Sequence, residues 1–186
     1  MRQPSDSAWI APAGGLDAPV IAGLHAETVG DGQWGEGALR HLLESGDGFA
    51  RVAAGCAYGE SMPLGFAFAR VIADEAELLG IGVLPAARGR GLGKRLLADV
   101  LATAGQRGAR RVVLEARQDN AAAQRLYTAA GFARVGTRPG YYASRDGAPA
   151  NADILARALA LTPGRIPAHG GCSPCHGISS TSGART

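Results

Sequence analysis

The spacing of apolar residues changes character twice along this chain. Leu16, Val20, Ile21, Leu24 and Val29 fall roughly on one helical face, which predicts a helix over residues 16–29 that Asp31-Gly32 breaks. A shorter helix is predicted over 36–43, ending near Gly46. The pattern then becomes strand-like. Residues 49–54 and 64–72 are apolar runs, with 58–63 as the turn region between them and Asp74-Glu75 as the next turn. Residues 78–83 are apolar on both faces, as expected of a central strand. A Gly- and Arg-rich loop follows over 85–93, and then the helical period returns. Leu92, Leu96, Val100 and Ala104 form one stripe, flanked by Leu97 and Leu101, while Lys94, Arg95, Asp99 and Gln106 lie mostly outside it. Gly108 ends that helix. A strand over 112–116 comes next, then a helix capped by Asp119 or Asn120 and running to Ala130. A strand opens at 132–135, and a last one is expected over 154–159.

This order predicts an α/β (α+β) domain with a mixed central sheet flanked by helices. The domain is expected to occupy residues 1–160. Residues 161–186 are rich in Gly, Pro, Ser and Thr and are expected to form a disordered tail.

Composition narrows the class. The chain has 186 residues, 46% of them hydrophobic and 19% charged, enough to bury a core. No apolar run approaches the ~20 residues of a membrane-spanning helix. The stretch from Met1 to Trp9 is polar and does not read as a signal peptide, so a cytoplasmic location is expected and no membrane partner. The net charge is +3, and two of those charges are the arginines of the tail. With only 5% aromatic residues, direct nucleic-acid binding is not expected. Three cysteines do not suggest a disulfide framework, and Cys56 reads as a core or loop residue.

The chemistry concentrates in two places. The first is Arg88-Gly89-Arg90-Gly91-Leu92-Gly93-Lys94, between a strand and a helix. Glycine lets the backbone approach an anion, and the first N–H groups of a helix are unpaired at the positive end of its dipole. A pyrophosphate suits that place, with Arg88, Arg90 and Lys94 adding charge. The loop is not a Walker A loop: Arg88 stands where its first Gly belongs, and Arg95 where Ser or Thr belongs. Gly89, Gly91 and Gly93 also miss the dinucleotide-binding spacing. A basic turn before a well-capped helix is the plainer alternative.

The second place is Glu115, Asn120 and Tyr127. Glu115 interrupts an apolar strand on the face opposite Leu114. It is either a salt-bridged glutamate, with Arg117 or Arg134 as partner, or a general base. Asn120, Gln124 and Tyr127 share one side of the next helix. Tyr127 either packs in the core or protonates a leaving group.

Arg88-x-x-Gly91-x-Gly93, followed by Leu114-Glu115-x-Arg117-x-x-Asn120-x-x-Ala123-x-x-Leu126-Tyr127-x-x-x-Gly131-Phe132, resembles the GNAT acetyltransferases. Within that family the resemblance is strongest to enzymes that acetylate the N-terminal alanine of ribosomal protein S18. It spans roughly residues 75–142, with weaker matches at Trp34 and at Asp146-Gly147. It implies the GNAT fold, acetyl-CoA as co-substrate, no metal, and a protein N-terminus as acceptor. It implies Glu115 as general base and Tyr127 as general acid. Ile81, Gly82 and Val83 would pair with the pantetheine arm. Arg88, Gly89, Arg90, Gly91, Leu92, Gly93 and Lys94 would hold the pyrophosphate, and Asn120 would touch the cofactor. Tyr141 and Tyr142, with Trp34, would shape the acceptor site. The chain departs from the pattern at Leu84, usually acidic, at Gly140, usually Asn, and in the longer spacing after Asp146-Gly147.

A lysine or small-amine acetyltransferase, and a non-catalytic acetyl-CoA-binding module, are the alternatives. Glu115 and Tyr127 together speak against the module. Cys172-x-x-Cys175-His176 has the form of a haem-attachment or zinc motif, but it lacks a second ligand cluster and is read as chance.

Overall fold

The structure is a computed structural model and describes residues 8–30, 33–57, 60–142 and 149–160. The expected tail and the Cys172, Cys175 and His176 motif lie outside the described residues, as do Asp146-Gly147.

The chain begins with a strand, β1 (Trp9–Ala13), and a single 3-10 turn leads into α1 (Ala18–Thr28) and α2 (Glu36–Glu44). Three strands follow, β2 (Gly48–Ala57), β3 (Glu60–Ile72) and β4 (Glu75–Val83). Then come α3 (Leu92–Gln106), β5 (Arg111–Arg117), α4 (Ala121–Ala129), β6 (Ala133–Tyr142) and β7 (Ala150–Ala158). The sheet order is β1-β2-β3-β4-β5-β7-β6, so β4 is central, as its apolar faces predicted. Among the described residues only β4 and β5 pair in parallel, through the crossover helix α3. Every other pair is antiparallel.

Several details differ from the sequence-based expectation, among them the start of β7 at Ala150 in place of 154. The strand β1 is added, because a short edge strand interrupted by Pro12 carries little periodic signal. Residues 60–63, expected in a turn, already belong to β3, where Leu64 is the extra residue of a bulge. Cys56 is neither core nor loop; it is exposed on β2.

Two cores cover the two faces. Beneath α3 and α4, Leu92, Leu96, Leu97, Val100 and Ala104 pack with Ala67, Ala69, Leu78, Val112, Leu114 and Tyr127. Beneath α1 and α2, Ile21, Leu24 and Leu39 pack with Phe66 and Phe68. Alternation along β3 explains the division: alanines lie under the leucine-rich α3, and phenylalanines fill the space under the shorter helices. No helix among the described residues is long and apolar enough to cross a membrane.

Candidate active site

The site begins with an interruption of the sheet. β4 and β5 pair only from Glu75–Arg111 to Leu78–Leu114. Next to that last pair, Leu79 is an extra residue that shifts the register of β4 against β3. Beyond it, β4 stays paired with β3 as far as Val83, and β5 stays paired with β7 as far as Arg117. The two central strands therefore part, and residues 79–83 face residues 115–117 across a gap.

Packing holds the β4 side of the gap in place. A Cβ on Gly82 would run into Thr28 Oγ1 and come 2.6 Å from the Phe66 ring. A Cβ on Gly80 would come 2.6 Å from the Phe68 ring. Those glycines let α1 and the phenylalanines close against the strand. Val83 gives its carbonyl to Arg88 Nε at 3.0 Å, and the Leu84 N–H is spent on Leu64 at 2.9 Å.

The basic loop lies at the end of β4. Gly91 is the N-cap of α3 with φ +76° and no capping side chain, and Gly89 has φ +77°. A residue with a Cβ resists that left-handed conformation. The first N–H groups of α3 therefore open to the loop without a side-chain acceptor. Arg88, Arg90 and Lys94 are all exposed around them. The Leu92 side chain is 3% exposed and belongs to the core, so this residue offers the loop only its backbone. Lys94 also lines a groove of about 450 Å³ between α3 and α4 that runs to Gly131 and Arg157.

Alternation puts Glu115 on the α1/α2 side and Leu114 under α3. Glu115 is salt-bridged, but to neither arginine nearest in the expectation: Arg138 Nε meets its Oε1 at 3.1 Å. Arg117 instead binds Asp119 through two contacts of 3.0 and 2.7 Å, holding that carboxyl below its ordinary range. Arg134 lies 3.7 Å from Asp153. The nearby Glu115 carboxylate holds the Tyr141 phenol above the usual tyrosine value. Arg138 also lies over the Tyr141 ring at 5.3 Å, and Arg117 over Tyr142 at 5.2 Å.

Tyr127 approaches from the other face. Its ring is 6% exposed and packs edge-on to Phe132, with centroids 5.8 Å apart. Burial, and then the nearby Tyr142, push the phenol well above its ordinary value, so it stays protonated. Asn120 is the N-cap of α4, its Oδ1 accepting from the Ala123 N–H at 3.0 Å. Asp153 is buried on this face with Gln118, Gln124 and Thr137 as partners, a polar hub that the sequence did not single out. Trp34 packs edge-on to Phe68 at 4.9 Å, on the α1/α2 side.

Part of the predicted set lies around the gap. Ile81, Gly82 and Val83 line one edge, and Glu115 lies on the other. The Arg88–Lys94 loop stands at the end of β4, and Tyr141 closes on Glu115. Among the described residues no group of three His, Cys, Asp or Glu side chains is placed to hold a metal ion.

The Acetyltransferase (GNAT) family model matches residues 24–132. A [ribosomal protein bS18]-alanine N-acetyltransferase of Haemophilus ducreyi is 38% identical over 93 residues, which cover 50% of this chain and 64% of that protein. The chain therefore matches less than two thirds of that relative's length. An N-alpha-acetyltransferase RimI of Mycobacterium tuberculosis is 40% identical over 131 residues, 68% of this chain and 78% of that protein. The crystal structure of the ribosomal-protein-S18-alanine N-acetyltransferase from Escherichia coli aligns with a TM-score of 0.73 at 26% identity, covering 86% of this chain and 99% of that one.

Proposed function

The chain belongs to the GNAT acetyltransferase family, and from that premise we propose that it transfers the acetyl group of acetyl-CoA to a protein N-terminal amine, that of the alanine of ribosomal protein S18. The observation that carries this reading is the gap between β4 and β5, with Glu115 facing the α1/α2 side and Tyr127 buried on the α3/α4 side.

The residues divide the work. The pyrophosphate of acetyl-CoA lies on the N-terminus of α3, against the Arg88, Gly89, Arg90, Gly91, Leu92, Gly93 and Lys94 backbone, with the three basic side chains around it. The pantetheine arm runs along Ile81, Gly82 and Val83 as a substitute strand, and Asn120 flanks it. The acceptor enters between Trp34 and the Tyr141-Tyr142 pair. An α-amine with a pKa near ~7.7–8.0 is roughly a tenth neutral at pH 7, whereas a lysine near ~10.4 is under about a thousandth neutral. A modest base therefore suffices for an N-terminus. Glu115, through a water, takes the proton as nitrogen attacks the thioester carbonyl. Backbone N–H groups near Val83 stabilise the oxyanion. The C–S bond then breaks, and Tyr127 gives its proton to the departing thiolate.

The test is acetyl transfer to two peptides. One copies the free alanine N-terminus of S18; the other is N-terminally blocked and carries an internal lysine. Transfer to the first alone is expected. Transfer to lysine alone would replace the acceptor while keeping the chemistry, and no transfer to either would sink the reading.

A further inference from the structure

We infer that Arg138 is a positioning residue for this transfer, holding Glu115 and Tyr141 together as one unit on the acceptor side of the gap. The inference deepens the proposed function and rests on it. Arg138 is on β6 and Glu115 is on β5, with β7 between them. In the register Glu115 stands opposite Ile154, whereas Arg138 stands opposite Ala152. The 3.1 Å contact from Nε to Oε1 therefore crosses a whole strand diagonally. Few side chains other than arginine carry a charge that far.

The backbone of β6 is shaped to bring Tyr141 to the same place. The register slips between Arg138 and Tyr142, and Gly140 has φ +64°. The Tyr141 ring thereby lies 5.3 Å from the Arg138 guanidinium carbon, with the Glu115 carboxylate near enough to raise its phenol above the usual tyrosine value. One guanidinium thus touches both the carboxylate and the ring. The side chains of Arg138 and Glu115 are 54% and 24% exposed, a setting in which an ion pair adds little stability. Its consequence is geometric. The guanidinium beside it holds the carboxylate in place, leaving lone pairs for the acceptor amine or a water.

The experiment is a double-mutant cycle read in steady-state kinetics with the free-alanine peptide. Arg138→Gln is expected to lower kcat by about tenfold to a hundredfold, the cost of a misplaced catalytic group, with KM for acetyl-CoA unchanged. Arg138→Lys recovers part of it, because the ammonium keeps the charge but loses the planar group that stacks on Tyr141. In a Glu115→Gln background, Arg138→Gln adds no further loss, since its effect passes through the carboxylate. Wild-type turnover in Arg138→Gln overturns the inference, and so does an equal fold loss in both backgrounds. If the unmutated protein acetylates no acceptor, the acetyl-transfer reading fails and takes this role with it. A wild type that is active beside an unaffected Arg138→Gln removes this role alone.

Discussion

Under the proposed function Tyr127 and Glu115 would each serve two ends, and separating them is an experiment. The Tyr127 ring fills core against Phe132, while its phenol is kept protonated by burial. Tyr127→Phe keeps the ring, so stability should hold while kcat falls by about a hundredfold or more, the usual loss for a general acid. KM for acetyl-CoA should stay in place; unchanged kcat would leave Tyr127 a packing residue. Glu115→Gln should also lower turnover, and a variant as fast as the wild type would make Glu115 purely structural. The facing of Glu115 away from Leu114 was legible in the sequence, because a strand alternates whatever its neighbours are. Its partner was not. Arg117 and Arg134 are nearer in the chain, but Arg138 is selected by the register of β7 between β5 and β6. β7 comes later in the chain, and no local pattern announces that register.

Helices and inner strands were legible for a similar reason. The α3 stripe was read residue for residue, because fifteen residues repeat one apolar face under a sheet. β1 was not, with five residues, a proline and an edge position. The parting of β4 from β5 was also hidden, since both strands stay apolar where they separate. Two turns of structure carry predictions. At Gly91, φ of +76° makes Gly91→Ala cost about 1 kcal/mol and weaken acetyl-CoA binding, because the N-terminus of α3 must shift. Chemical denaturation and acetyl-CoA titration would read the two effects; normal binding would remove the loop from the substrate site. Asn120→Ala removes the α4 cap and should cost about 1 kcal/mol, measurable in the same denaturation series.

The protein as a whole should lose stability in alkali. The buried phenol of Tyr127 holds its proton more tightly in the folded than in the unfolded chain. Above pH ~10 the unfolded chain releases that proton and the folded chain keeps it, so stability falls as pH rises. Tyr141 acts in the same direction through the nearby Glu115 carboxylate. Urea midpoints from pH 8 upward should show a steeper decline in the wild type than in Tyr127→Phe; parallel curves would contradict the cause.

The parted strands have one more consequence. Between β1–β4 and the remaining three strands, only four residue pairs of backbone ladder join the sheet. Under the proposed function, a substrate arm laid along Ile81, Gly82 and Val83 would supply the missing rungs, and the sheet would be completed by a metabolite. Any ligand bound only by the folded state raises stability in proportion to the logarithm of its excess over Kd. Amide protons of residues 79–83 should then exchange slowly with acetyl-CoA and quickly without it. On that reading, the survival of this protein against proteolysis would follow the acetyl-CoA supply. Starvation would thin the enzyme's own population as well as idle it.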